Sequence, residues 1–370
     1  MLLAEICGPL FLLFLILFVG TIVGMIRIRG ISLGLASILI LSILTGYLLP
    51  SEITNGGFPD TMKLFSSFGT SLFLAVVGLS AGYEWAKGER KKRIASFLIG
   101  GGMVLLNFLS ALLIGQLDSV INESCLFGTF CGAMTSTPGL AALCESNHIL
   151  TASATVGYGG AYLFGVIGVV LFVQLMPRDT DSLPAAEKTC TQNDENTTLL
   201  TGMASLCAVI VCGRILGTVR LPVSSFSPGT SGGILCSGML IGHLSKKCFG
   251  KRLLEKKSAE AFRNLGLAVF FVGTGVPAGM TLLSGFSARS LAYGILFTLF
   301  PILLGYLLAR KIFPHSVDTA LCIVCGIMTS TPAIGVLWGQ KNRNVDTVSY
   351  SLSYTGALLA MVFSMRICAV

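Results

Sequence analysis

Charge is scarce in this sequence, and its scarcity excludes a soluble protein. Asp, Glu, Lys and Arg make up 11% of the 370 residues, whereas soluble domains usually carry about a quarter. Hydrophobic residues make up 53% of the chain, and the mean hydropathy is +0.83. So few charged side chains cannot cover a surface that faces water. The composition indicates an all-α polytopic membrane protein.

Histidine is scarcer still, which argues against a metal enzyme. The three histidines, His148, His243 and His315, lie in unrelated segments without the spacing of a metal site. Cys322 and Cys325 form a C-x-x-C pair in an apolar stretch with no second pair, so we interpret them as packing residues. We expect no catalytic residue, no metal and no cofactor. The net charge of +8 has a topological explanation and does not indicate nucleic-acid binding.

Apolar runs fill most of the chain. A helix needs about 20 apolar residues to cross the hydrocarbon of a bilayer, and most of these runs reach that length. The runs are 6–26, 31–50, 64–83, 94–117, 124–144, 149–177, 198–213, 221–245, 264–288, 290–309, 319–340 and 347–365.

One motif occurs twice. Cys131-Gly-Ala-Met-Thr-Ser-Thr-Pro138 returns as Cys325-Gly-Ile-Met-Thr-Ser-Thr-Pro332, 194 residues later (from 131 to 325), with seven of eight positions identical. Other elements recur in the same order at similar offsets, which indicates an internal duplication. We interpret the chain as a first membrane repeat (1–177), a short cytoplasmic linker (178–197) and a second membrane repeat (198–370).

Basic clusters predict the orientation of the repeats, because loops rich in Lys and Arg stay in the cytoplasm. Residues 87–93 hold five basic side chains after the third apolar run, and residues 246–263 hold seven before the third run of the second repeat. Equivalent helices therefore cross in opposite directions. This is an inverted-topology repeat, which many secondary transporters use.

Inversion requires an odd number of crossings in each repeat, so one element must enter and leave by the same face. The duplicated motif is the best candidate because its proline breaks a helix. We expect about five crossings plus one re-entrant or discontinuous element in each repeat, with both termini on the outer side. We also expect a scaffold domain and a transport domain, the latter containing both motifs and the third helix of each repeat.

Each motif places three consecutive hydroxyls and a proline inside an apolar stretch, which has two interpretations. The hydroxyls either bond back to their own kinked helix or join the amides of an interrupted helix to bind a carboxylate. Recurrence in an inverted repeat favours the second interpretation. The candidate substrate-binding residues are Thr135, Ser136, Thr137, Pro138, Thr329, Ser330, Thr331 and Pro332.

Weaker candidates for substrate contact are Arg214, Gly78, Gly275, Tyr158 and Tyr350. Arg214 interrupts an apolar helix. We give equal weight to its being a substrate ligand and to its being a residue at the membrane interface. The glycines have a second interpretation in close helix packing, and the tyrosines have one in packing or at the membrane interface. Glu145 follows the first motif, where it either gates the site or is an ordinary loop residue.

The motifs also resemble those of a known family. Gly-x-Met-Thr-Ser-Thr-Pro in both halves, together with residues 165–178, resembles the aspartate-alanine exchanger family of bacterial transporters. The resemblance covers both membrane repeats. It implies a secondary carrier of the bacterial inner (plasma) membrane, an antiporter for amino acids or small dicarboxylates that assembles as a homodimer. It does not choose between aspartate, alanine, glutamate and succinate, and the family's soluble regulatory domains are replaced by the short linker.

Two alternatives stay open. A sodium- or proton-coupled carboxylate symporter would hold a coupling cation at the carbonyls of the same helix breaks, although no acidic residue adjoins either motif. An ion channel would require a continuous polar pore. A membrane enzyme is disfavoured because no nucleophile, base or metal set converges in the sequence.

Overall fold

The computed structural model describes residues 8–28, 31–32, 34–49, 58–85, 90–118, 120–146, 151–177, 199–219, 229–250, 252–280, 288–314, 316–330, 333–334, 336–337, 343 and 345–368. Apart from one two-residue strand pair, the regular structure of these residues is helical. The fold is therefore all-α, as the composition predicts.

The first repeat contains seven helices within its described residues. A short antiparallel pair, β1 (Arg27–Ile28) and β2 (Ile31–Ser32), follows the first of them. The helices are α1 (Pro9–Met25), α2 (Ala36–Leu48), α3 (Phe58–Trp85), α4 (Arg90–Leu117), α5 (Glu123–Ala133), α6 (Thr137–Ser146) and α7 (Thr151–Leu175).

The second repeat follows the same plan. Its described helices are α8 (Leu199–Thr218), α9 (Gly229–Phe249), α10 (Lys256–Met280), α11 (Ala288–Ile312), α12 (Val317–Ile327) and α13 (Thr347–Cys368). Six helices of the described residues, α3, α4, α7, α8, α11 and α13, are long and apolar enough to cross a membrane. The chain is thus a polytopic membrane protein with two repeats.

The helices pack into two bundles, and each bundle takes equivalent helices from both repeats. The glycine bundle consists of α1–α3 and α8–α10, in which α3 packs on α9 and α10 while α2 packs on α10. The motif bundle consists of α4–α7 and α11–α13, in which α5 packs on α7 and its counterpart α12 packs on α13. The matching contacts of the two repeats confirm the duplication.

The third helix of each repeat packs in the glycine bundle, which differs from the expectation that it would lie with the motifs. A Cβ added to Gly78 of α3 would lie 2.7 Å from the carbonyl oxygen of Leu235 in α9. A Cβ added to Gly275 of α10 would lie 2.6 Å from Cβ of Ser42 in α2. Only glycine permits these backbones to approach so closely. The structure therefore gives Gly78 and Gly275 the packing role that the sequence left open.

Polar contacts mark two opposite faces of the molecule. At one face, called the basic face from here on, Arg252 pairs with Glu84 and joins the segment after α9 to the end of α3. At the opposite face, Nη1 of Arg289 donates to Oδ1 of Asp118 at 2.8 Å and joins the start of α11 to the end of α4. The helix α4 begins at the basic face and ends at the opposite one.

The interrupted element of the first repeat, α5–α6, enters and leaves by the opposite face. The helix α5 begins just after Asp118. Near the end of α6, the carboxylate of Glu145 accepts the amides of Thr230 and Ser231 at the start of α9, at 2.9 Å for Ser231. Because α9 runs from there to the basic face, both ends of α5–α6 lie on the opposite side. This is the predicted re-entrant element.

The interrupted element of the second repeat enters and leaves by the basic face. Asp318, in the first turn of α12, forms an ion pair of 2.8 Å with Arg343, which follows the break. Arg343 also donates to the carbonyls of Met176 at 2.8 Å and Pro177 at 3.3 Å, at the end of α7. The two re-entrant elements therefore open to opposite faces, as inverted repeats require.

Candidate functional site

The two motifs interrupt their helices at equivalent positions. In the first repeat α5 ends at Ala133 and α6 begins at Thr137. In the second repeat α12 ends at Ile327. Thr331 and Pro332, two of the predicted site residues, lie outside the described residues. The described part of each break is buried, and Ser136 and Ser330 are fully so.

A reversal of the backbone closes each break. Thr135 has φ +50°, its amide donates to the carbonyl of Gly132 at 2.8 Å, and the amide of Ser136 donates to the carbonyl of Cys131 at 2.8 Å. This pair of bonds is a Schellman motif, whose left-handed position usually holds glycine. Thr329 repeats the arrangement with φ +46°. A β-branched residue in this conformation is strained by about 1–3 kcal/mol.

The two breaks contact each other through reciprocal hydrogen bonds. The hydroxyl of Thr135 donates to the carbonyl of Met328, and the hydroxyl of Thr329 donates to the carbonyl of Met134 at 3.0 Å. Each methionine is the C-cap of its helix and would otherwise leave a buried carbonyl unpaired. The left-handed backbone directs the side chain of each threonine toward the opposite break. The hydrogen bond that the hydroxyl makes there offsets the backbone strain.

The serines of the motifs cap the helices that follow. Oγ of Ser136 accepts the amide of Gly139 at 3.4 Å, and Oγ of Ser330 accepts the amide of Ala333 at 3.3 Å. Both bonds have the geometry of an N-cap, in which a side-chain oxygen satisfies a free amide of the first turn. Their hydroxyls therefore have a structural role as well as a place in the candidate site.

Thr137 connects the first break to the tyrosines. Its hydroxyl lies 2.9 Å from the hydroxyl of Tyr158 on α7, and both side chains are buried. The ring of Tyr158 lies 5.3 Å from that of Tyr162. In the second repeat the rings of Tyr350 and Tyr354 on α13 form the equivalent pair at 5.6 Å. Tyr158 thus lies beside the motif, while Tyr350 lies on the helix that packs against α12.

Asn107 supports the first break, although it was not among the residues predicted from the sequence. Its Nδ2 donates to the carbonyl of Phe297 at 2.9 Å and lies 3.1 Å from Sδ of Met134. Pro301 stands four residues after Phe297 inside α11 and has no amide to donate to that carbonyl. Asn107 supplies the missing donor. A polar residue inside the apolar helix α4 was the available signal.

Arg343 and Asp318 form a second polar contact that was not predicted from the sequence. Both side chains are 1% exposed. A buried ion pair is costly unless further hydrogen bonds satisfy it, and the carbonyls of α7 do so for Arg343. The signal in the sequence was an aspartate at the start of an apolar run.

Arg214 lies away from the breaks. It has an exposed side chain on α8, and its Nη2 donates to Oγ of Ser67 on α3 at 3.3 Å. Arg214 therefore makes no described contact with the breaks, and its interfacial role stays a prediction.

The candidate site is polar but has no charged contact. Within the described residues, every hydrogen-bond partner of the two breaks is an amide, a carbonyl, a hydroxyl or a methionine sulfur. The same part of the chain contains no group of three His, Cys, Asp or Glu side chains that could hold a metal. The described part of the site can stabilise a ligand's charge through dipoles, such as that of the helix start at Thr137.

Comparison with known proteins gives the family. A family model described as a predicted permease membrane region, of the Asp-Al_Ex type, matches residues 12–178 and again residues 205–370. The chain belongs to this permease family. The two matched segments coincide with the two repeats, so the same family model matches each of them.

Relatives in the permease family are named as transporters. The chain is 34% identical over 171 residues to an uncharacterized transporter of Bacteroides thetaiotaomicron, which covers 45% of this chain and 29% of the relative. It is 34% identical over 196 residues to an uncharacterized transporter of Rhodopirellula baltica, which covers 50% of this chain and 34% of the relative. Each alignment thus spans about a third of the relative's length.

Proposed function

We propose that this protein is a secondary active transporter that exchanges amino acids or small carboxylates, such as aspartate and alanine, across the bacterial plasma membrane. The observation that carries the proposal is the reciprocal contact between the two helix breaks, formed by the hydroxyls of Thr135 and Thr329. Re-entrant elements that meet inside the membrane are where inverted-repeat carriers bind their substrates. The family and the names of the relatives support transport in general.

The start of α6 is the carboxylate-binding end of the proposed site. A helix N-terminus carries partial positive charge and favours anions. Thr137 is the first residue of this helix, and Pro138 has no amide of its own. The hydroxyl of Thr137 is held by Tyr158, so it is oriented before a substrate binds. From the repeat of the sequence, we also assign Thr331 and Pro332, which lie outside the described residues, to a matching end.

Alternating access is proposed to arise from movement of the motif bundle against the glycine bundle. Both breaks belong to the motif bundle and are bonded to each other, so they move together. The contacts between the bundles include a ring pair and hydrogen bonds at a helix start. The ring of Tyr162 lies 6.4 Å from that of Phe271 in α10, and Glu145 accepts hydrogen bonds from the first amides of α9. A site fixed in one body reaches both faces when that body moves against the other. We assign the glycine bundle as the scaffold and as the interface of a homodimer.

A cation-coupled carboxylate symporter is the second candidate. The carbonyls of Met134 and Met328 and the hydroxyls of Thr135 and Thr329 place four oxygen atoms at the crossing of the breaks. Carbonyls at helix breaks can coordinate sodium. In this structure each carbonyl accepts a hydroxyl, so a cation would have to replace those two hydrogen bonds.

Transport by purified protein in proteoliposomes tests the proposal. Vesicles loaded with aspartate, alanine, glutamate or succinate are given a radiolabelled carboxylate outside, with and without a sodium or proton gradient. Exchange predicts uptake that saturates, requires internal substrate and is independent of both gradients. Uptake into empty vesicles driven by a gradient would favour the symporter. Uptake that never saturates would contradict a carrier.

A further inference from the structure

An apolar groove opens on the lipid-facing surface between α4 and α11. Its volume is about 590 Å³. A Cβ added to Gly102, in the groove wall, would meet no atom within 4 Å. None of its lining residues belongs to the two helix breaks, so the groove is separate from the proposed substrate site. Its lining includes Lys91, Leu98, Gly102, Leu106, Leu308 and Ile312.

The groove is shorter than the hydrocarbon of a bilayer is thick. Its wall on α4 runs from Lys91 to Leu106, which is about 22 Å at 1.5 Å per residue, whereas the hydrocarbon alone is about 30 Å thick. On α11 the wall is confined to the last turn. Beyond Leu106, the last lining residue of α4, Asn107 bonds the carbonyl of Phe297 on α11. A membrane-crossing helix from a second copy would need a groove as long as the bilayer is thick, which this groove is not.

The open end of the groove is positively charged. Lys91 is exposed in the first turn of α4, and within the described part of the chain its ammonium has no ion-pair partner. Lys311 lies in the last turn of α11, beside Ile312. Both belong to the basic face. Basic pockets between membrane helices on the cytoplasmic side bind anionic lipid headgroups.

We propose that this groove binds one acyl chain of an anionic phospholipid of the inner leaflet, with the lipid phosphate between Lys91 and Lys311. The apolar depth matches a single chain, and the free ammonium of Lys91 supplies charge complementary to the phosphate. Because α4 and α11 both belong to the motif bundle, the lipid travels with that bundle. The proposal does not depend on which substrate is carried.

Melting temperatures of the purified full chain in neutral detergent test the proposal. Phosphatidylglycerol is titrated into the protein, with phosphatidylcholine and glycerol 3-phosphate as comparison ligands. We expect a saturable rise in melting temperature with phosphatidylglycerol only. Lys91→Gln should require about fivefold more lipid, the loss expected for one basic residue at a lipid surface. Gly102→Leu fills the groove and should remove the response.

Two control variants keep the test specific. Lys257→Gln removes an exposed lysine of α10, in the other bundle, and Leu113→Phe adds bulk to an exposed position of α4 beyond the groove. Both should respond as the unmodified protein does. Equal shifts with phosphatidylcholine, a full response to glycerol 3-phosphate, or an unchanged response in both groove variants would overturn the proposal. So would loss of a dimer on Gly102→Leu without any lipid effect, because a second copy would then occupy the groove.

Discussion

The hydroxyl of Thr135 donates to the main-chain carbonyl of Met328, 193 residues away in the sequence. The equivalent bond runs in the opposite direction, from Thr329 to the carbonyl of Met134. Each threonine occupies a left-handed backbone position that favours glycine. Glycine would relieve that strain but has no hydroxyl. The residue type at this position therefore follows from the contact between the two breaks.

Removing either hydroxyl should destabilise the fold. Thr135→Val and Thr329→Val keep the branched shape and the backbone strain but leave one buried carbonyl unpaired, which costs about 1–3 kcal/mol. Thr129→Val is the matched control, since its hydroxyl bonds the carbonyl of Cys125 within the same helix. Thermal unfolding of the purified variants measures the difference. If Thr129→Val lost as much stability as the other two variants, the reciprocal bonds would not contribute more to folding than a hydrogen bond within one helix.

The buried ion pair of Asp318 and Arg343 should be far more sensitive than an exposed one. Asp318→Asn or Arg343→Met removes one partner and leaves a buried charge or its polar contacts unmatched, which costs about 3–5 kcal/mol. Asp60 and Lys63 form the control pair at 3.8 Å, with exposed side chains, and breaking it should cost less than about 1 kcal/mol. Similar losses of thermal stability in both pairs would contradict the burial of Arg343.

Cross-links should separate movement between bundles from movement within one. A Cβ on Gly159 of α7 would lie 2.8 Å from Cδ1 of Ile43 in α2, and one on Gly101 of α4 would lie 3.9 Å from Cβ of Ala360 in α13. Ile43→Cys with Gly159→Cys joins the two bundles and should stop exchange until a reductant is added. Gly101→Cys with Ala360→Cys joins two helices of the motif bundle and should leave exchange intact.

The cross-linking experiment is read in proteoliposomes made from a variant that lacks the native cysteines. Cross-link formation is quantified by the shift of the band on a gel. This prevents protein without the cross-link from being mistaken for cross-linked protein that still exchanges. Normal exchange with the bundles fully cross-linked would contradict their relative movement. Arrest by the link within the motif bundle would show that this bundle does not move as one body.

The basic face should be cytoplasmic. Cys248 is exposed near the end of α9, and Val120, 74% exposed, lies at the opposite face. In single-cysteine variants, an impermeant maleimide added to intact cells should label Val120→Cys and spare Cys248. Permeabilised cells should show labelling at both. Labelling of Cys248 from outside would reverse the proposed orientation of the whole chain.

The sequence predicted the repeats and the re-entrant elements because both depend on features visible along the chain. The duplicated motif, the basic clusters and the proline in each break were sufficient. The apolar run 198–213 ends before Arg214, but α8 continues through that arginine to Thr218. A single charged residue marks no helix end when its side chain lies at an exposed surface.

The partners of the site residues could not be predicted, because they depend on packing between distant segments. Nothing in the sequence indicates that Thr135 bonds Met328 rather than its own helix. The role of Asn107 depends on Pro301 lying opposite it in another helix, and that of Arg343 on the end of α7. The third helices were predicted to lie in the transport domain from their glycines alone. A glycine indicates that another helix packs closely against it, but the sequence does not show which helix that is.

Substrate affinity in threonine variants tests the central claim most directly. Thr137→Val and Thr331→Val remove a donor from each proposed carboxylate-binding end, and Tyr158→Phe breaks the contact with Thr137 while keeping the threonine hydroxyl. The measurement is the substrate-dependent rise in melting temperature of folded, purified protein, using the carboxylate that exchanges in proteoliposomes. We predict a loss of about 1–3 kcal/mol, or about five- to 150-fold in affinity, for each valine variant, and a smaller loss for Tyr158→Phe, which keeps the threonine hydroxyl but removes the group that orients it. Unchanged affinity in both valine variants would contradict a binding site at the helix breaks.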